Sequence, residues 1–154
     1  MKRVEVKLAL PVVAPLLDLI KRTIDGLHDQ LAAPQSLRDL DEELGAAWKG
    51  ELLDDQNGDC QRFLALFDRE FFASGIVAFD DNNAESVLRA CAAIRLRLRE
   101  NELRGLSDEA LEGAGVDLDK LGEADQKGYM GYVFLATLQE LIIQHLDAAI
   151  LEGG

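Results

Sequence analysis

Hydrophobic and polar positions alternate at the very start of the chain. Val4, Val6, Leu8 and Leu10 interleave with Arg3, Glu5 and Lys7, which predicts a half-buried strand over about 3–9. The period then changes. Leu16, Leu17, Ile20, Ile24, Leu27 and Leu31 recur at steps of three and four, predicting a helix over about 12–32 that Pro34 stops. Ser36 offers a cap for a second helix, whose stripe is Leu37, Leu40, Leu44, Ala47 and Trp48. Asp54-Asp55-Gln56-Asn57-Gly58 is turn chemistry and predicts a linker. A third helix is expected over about 59–74, with Phe63, Leu64, Phe67 and Phe71 inward and Gly75 just past its end.

Ile76-Val77-Ala78-Phe79 is a short extended stretch, and Asp80-Asp81-Asn82-Asn83 supplies caps for a fourth helix over about 83–104. Ser107 caps a brief turn of helix, and the longest helix follows over about 123–151. The pattern predicts a mainly α fold: a single-domain helical bundle of about five helices with a short N-terminal strand, spanning 1–154.

Helix faces refine this picture. The fourth helix carries a main stripe of Ala84, Val87, Leu88, Cys91, Ile94 and Leu98 and a smaller one of Ala92, Leu96 and Leu103. A helix apolar on two sides lies centrally in its bundle or at a subunit interface. Arg95 and Arg99 project between the stripes and need carboxylate partners, for which Asp68 and Glu70 are the candidates. That predicts a structural ion-pair network, with an arginine–carboxylate pocket for a small anionic ligand or substrate as the alternative. The last helix is apolar nearly all round, so it forms the core or half of a dimer seam. Leu96, Leu103, Phe134, Leu138 and Ile143 are the candidate interface residues. His145 falls in the main apolar stripe, beside Leu138 and Ile142, and reads as a hydrogen-bonded core residue. Gly128 and Gly131 allow either close helix approach or fraying.

Charge changes the functional picture. The 154 residues hold 16 Lys and Arg against 29 Asp and Glu, a net charge of −13. A field of that sign argues against nucleic acid and anionic membranes as partners. Residues 39–59 account for −7 of the excess and residues 106–125 for −6; both read as solvated surface, with docking of a basic partner as the alternative.

Searching the chain for chemistry yields exclusions. A di-iron bundle needs Glu-x-x-His pairs, and neither His28 nor His145 follows Glu by three. An EF-hand echo at Asp117, Asp119 and Gly122 has Leu121 and Gly128 where calcium ligands belong. Phosphate-cradling glycine loops, nucleophile elbows and Cys-x-x-Cys pairs do not occur. Cys60, near an expected helix N-terminus beside Asp59, reads as an inert thiol and Cys91 as core. No catalytic residue, cofactor or metal ligand is therefore expected. The basic start and apolar run from Leu8 read as strand and helix rather than as a signal peptide, because Glu5, Pro11 and Pro15 interrupt them. A cytoplasmic protein is expected.

Arg62-Phe63, Phe67-Asp68-Arg69-Glu70, Ile94-Arg95-Leu96-Arg97-Leu98 and Phe134-Leu135-Ala136-Thr137-Leu138-Gln139-Glu140-Leu141 occur in an order that resembles the bacterial domain-of-unknown-function family numbered two thousand and seventeen. The resemblance implies no activity. Genes of that family often neighbour the gene for the adaptor of the Clp protease, which implies an association with regulated proteolysis. The expectation is a non-enzymatic protein-interaction or regulatory module that binds a protein partner or self-associates, as in a homodimer.

Overall fold

The computed structural model describes residues 3–32, 42–107 and 118–146. Its first strand, β1 (Arg3–Lys7), pairs antiparallel with β2 (Ile76–Asp80), in a register running from Arg3 opposite Asp80 to Lys7 opposite Ile76. Val4 and Val6 thereby lie opposite the buried Phe79 and Val77 and close one edge of the core, while Glu5 and Lys7 stay in water.

Four long helices and one short one follow the same logic: α1 (Leu10–Leu27), α2 (Glu42–Ala65), α3 (Arg69–Ser74), α4 (Ala84–Glu100) and α5 (Glu123–His145). The fold is mainly α, and among the described residues the buried hydrophobic side chains other than Leu16 form one cluster. Its centre is α4, which packs against α1, α2 and α5. Of the two expected positions for a helix apolar on two sides, this is the central one. Gly128 and Gly131 permit close approach: a methyl group at position 128 would fall 2.8 Å from Cβ of Glu102, and Gly131 faces Leu19 and Leu98.

The structure corrects the sequence reading at α2. Residues 54–58 are not a linker; the helix runs through them without a break and ends only after Ala65. The side chains that favour turns find partners elsewhere. Gln56 Nε2 donates to Leu27 O and Gln30 O at 3.0 and 2.9 Å, its Oε1 accepts from Ala32 N at 3.0 Å, and Asn57 Nδ2 donates to His28 O. Occupied in this way, they no longer compete for their own backbone, and they satisfy carbonyls left open where α1 ends. The same clasp explains why α1 stops at Leu27, well before Pro34, which lies outside the described residues along with Ser36.

The real break comes at residues 66–68. Asp68 Oδ1 accepts from Phe71 N at 3.0 Å, capping α3. Phe63, Phe67 and Phe71 carry packing across the break, with ring centroids 5.2 and 5.0 Å apart. Gly75 then ends α3 at φ 76°, and its carbonyl accepts from Leu8 N at 2.7 Å, joining this corner to the chain beyond β1. Asp80 and Asn83 lock the turn after β2 by exchanging side-chain-to-backbone bonds. α4 ends at Glu100, and turns carry residues 101–105 to Gly105. Of the brief helix after Ser107 and the tail of the last helix, residues 108–117 and 147–154 lie outside the described residues.

Two glycine substitutions should move stability in opposite directions. Gly75→Ala introduces a left-handed backbone penalty of about 1–2 kcal/mol, increased by a Cβ only 2.9 Å from Leu8 O. Gly50→Ala, in the exposed part of α2 with nothing within 4 Å, should stabilise by up to ~1 kcal/mol through helix propensity. Urea midpoints of the two variants, read against the parent, check both signs.

Candidate functional site

The arginine–carboxylate cluster anticipated on α4 exists, but different residues build it. Asp59, on the second half of α2, is buried, and α4 supplies its partner. Arg89 Nε donates to Asp59 Oδ2 at 2.9 Å and Arg89 Nη2 to Oδ1 at 3.0 Å, a two-point clasp across the helix pair. Arg62, one turn on from Asp59, reaches Oδ1 at 3.5 Å and donates to Ser86 Oγ at 3.2 Å. The geometry is uneven: the Asp59 side chain is 7% exposed, whereas those of Arg62 and Arg89 are 60% and 56% exposed. The hydrogen bond that Arg89 donates to Asp59 holds its guanidinium proton more firmly than usual, against the opposing effect of burial.

These groups border a cleft of about 700 Å³ between α2 and α4, roofed at one side by Leu31 and Ala32. Leu52, Ala93 and Leu96 make its apolar walls, and Asp54 and Asp55 stand on the α2 side. Sequence reasoning missed this site because a linker at 54–58 would have removed its wall. The available signals were the Asp59-x-x-Arg62 spacing and the acidic excess of residues 39–59.

Beneath the clasp the two cysteines are sealed in the seam. Cys60 lies mid-helix on α2, not at a helix N-terminus; burial first, and the Asp59 charge second, push its pKa up to about 11. Burial pushes Cys91 on α4 up to about 12, with Arg95 opposing. A thiol held so far above neutrality has almost no thiolate and is a poor nucleophile or metal ligand.

Arg95 is not met by Asp68 or Glu70, which are both exposed; Asp68 caps α3 and Glu70 stands in its first turn. Instead α5 covers Arg95 with neutral groups. Its Nη1 donates to Gln139 Oε1 at 2.6 Å and its Nη2 to Tyr132 OH at 2.9 Å, and its guanidinium carbon stands 4.5 Å from the Tyr132 ring centre. Gln139 is itself anchored to Leu88 O at 3.2 Å. Arg99, one turn further along α4, is half-buried.

Of the candidate interface residues, Leu103 and Leu138 are core, each 1% exposed, and Phe134 is half-buried near Phe67. Leu96 and Ile143 are exposed. His145, expected in the core, is exposed at the last turn of α5, because the inward stripe there runs through Leu138, Ile142 and Leu146.

No model of a known protein family matches the chain, and no curated protein or solved structure does either. Among the described residues no helix is long and apolar enough to cross a membrane.

Two outcomes follow from the seam. Arg89→Ala leaves a sealed carboxylate with only the longer Arg62 contact and should cost ~2–3 kcal/mol. Asp59→Ala strands only guanidiniums that water already reaches and should cost less, ~1–2 kcal/mol. Denaturant titrations that reverse this order would contradict the uneven clasp. The second outcome concerns pH. Both thiols keep their protons in the folded chain above the ordinary value of 9.0, while the unfolded chain loses them. Stability therefore falls as pH rises above about 9, by roughly 1 kcal/mol per thiol at pH 10. The Cys60→Ala/Cys91→Ala double variant should show a flatter decline between pH 8.5 and 10 by circular dichroism.

Proposed function

We propose that this chain is a non-enzymatic protein-interaction module that receives a partner segment in the cleft between α2 and α4. The observation that carries the reading is the cleft itself. It is open, about 700 Å³ in volume, and walled by apolar side chains from two helices. Its strongest polar groups, Asp59, Arg62 and Arg89, are already engaged with one another.

A catalytic pocket draws convergent, poised groups onto one point. Here the nearest nucleophile is the Cys60 thiol, buried with its pKa raised to about 11. The exposed Leu96 lines the cleft on its α4 wall, and Trp48, also exposed, lies on α2 one turn before the lining residue Leu52. Large exposed apolar side chains beside a groove favour a macromolecular partner. Regulatory binding also accords with the association with Clp-type proteolysis that the family resemblance implies.

A photo-crosslinking residue placed at position 96 should yield a discrete protein adduct in native host cells. The same residue at position 72, exposed on α3, should not. An adduct to a second copy of this chain would assign the cleft to self-association. Equal labelling from both positions, or none from position 96, would remove the reading.

A further inference from the structure

We infer that the occupant of the α2–α4 cleft is a basic amphipathic helix of another protein, an inference that rests on the cleft being a protein-binding site. The charge of the walls supports it. Asp59 is neutralised by Arg89 and Arg62; Asp54 and Asp55, one to two turns earlier, line the cleft and form no ion pair within 4 Å among the described residues, with Asp55 feeling the Arg89 charge from further off. Glu51 is exposed just before them. The part of the cleft beside Asp54 and Asp55 is therefore acidic, and Leu31, Leu52, Ala93 and Leu96 supply its apolar lining. A segment that covers leucines while neutralising Asp54 and Asp55 needs an apolar face flanked by Lys or Arg.

The walls also select the form of that segment. Both are helices whose backbone groups bond internally, so the cleft presents no strand edge for an extended peptide to join. Recognition must run through side chains, the mode of an amphipathic helix laid in a groove. From Leu52 to Arg62 the α2 wall spans about 15 Å, enough for roughly three helical turns of partner. A second copy is disfavoured, since each chain carries −13 and brings the same acidic helix. A small anion is disfavoured as well: Asp54 and Asp55 repel it, and Arg89 and Arg62 already pair with Asp59, Arg89 with Glu85 besides.

The test titrates the full chain with dye-labelled synthetic helical peptides. One carries leucines at i, i+3, i+4 and i+7 with lysines on its polar face; a second replaces those lysines with glutamates; a third scrambles the first. Binding is read by anisotropy, with Trp48 emission as an internal reporter, since it is the single tryptophan and half-exposed. The lysine peptide should bind, the glutamate peptide should not, and the scrambled peptide should bind at least tenfold more weakly, a difference of about 1.4 kcal/mol.

Asp54→Asn/Asp55→Asn should weaken the lysine peptide roughly five- to tenfold. Glu123→Gln/Asp125→Asn, exposed at the start of α5, should leave it unchanged. All four are surface positions, so folding is checked by circular dichroism and retained. Equal losses from the two double variants, or equal binding of the scrambled peptide, would reduce the effect to the general field and overturn the inference. An adduct at position 96 through an acidic or neutral segment, or to a second copy, would also overturn it while leaving the interaction reading intact. Absence of any adduct at position 96 would remove both.

Discussion

The carboxylate of Asp59 has almost no access to water, and so it must be paired inside the protein. That one constraint fixes much of the arrangement around it. Arg89 can supply both hydrogen bonds only if the second half of α2 lies alongside α4 at the height of the clasp. With that height set, Cys60 and Phe63 fall into the core, and Arg62 can bridge from Asp59 to Ser86. A buried ion pair is weak evidence for net stability, because desolvation offsets much of its attraction. Its contribution here is register: a one-residue slip of α2 would take Asp59 out of reach of Arg89, and Arg62 out of reach of Ser86.

One turn earlier, Gln56 repeats the device with neutral groups. Its amide accepts from Ala32 N and donates to Leu27 O and Gln30 O, tying the chain after α1 to the side of α2. Asp59 and Gln56 thus hold α4 and the end of α1 on one helix, and the cleft is what remains between them. Leu31, Leu52, Ala93 and Leu96 are its apolar lining, beside polar side chains that these contacts already engage at Gln56, Asp59 and Arg89. Arg95, on the far side of α4, is met by neutral groups alone: Tyr132 and Gln139 accept from its two Nη atoms, while its buried Nε has no hydrogen-bond partner.

Much of this was legible in the sequence, and the limits have physical causes. The alternation at Val4 and Val6, the stripe of α1, the Phe63–Phe67–Phe71 series and the central place of α4 all rest on apolar burial, which periodicity reports directly. The path of α2 was not legible. Asp54-Asp55-Gln56-Asn57-Gly58 has turn composition because such side chains compete for nearby backbone, and only tertiary partners remove that competition. Arginine partners failed for a related reason. Charge alone pointed from Arg95 to Asp68 and Glu70, whereas packing brought α5 over Arg95 and left those carboxylates on the surface. His145 was placed inward by the stripe of Leu138 and Ile142 in a helix expected to continue to about 151; the helix ends at His145, and Leu146 takes the inward position.

The two halves of α2 make different demands on the chain. From Asp59 onward the helix is held by the core, but none of residues 43–58 is buried. An isolated helix of that length would be marginal in water. Continuity with the docked half removes the cost of nucleation, and Ala, Leu, Lys and Glu supply good propensity along the exposed part. An acid in the first turn, Glu43, also suits the helix dipole. The first half can therefore stay ordered while leaving Trp48 half-exposed and Leu52 only half-buried. Helical order that is retained without local burial leaves apolar side chains at the mouth of the cleft, next to acids that keep them soluble. Of the acids that give residues 39–59 their −7, Asp54, Asp55 and Asp59 line one side of a groove once α2 runs straight.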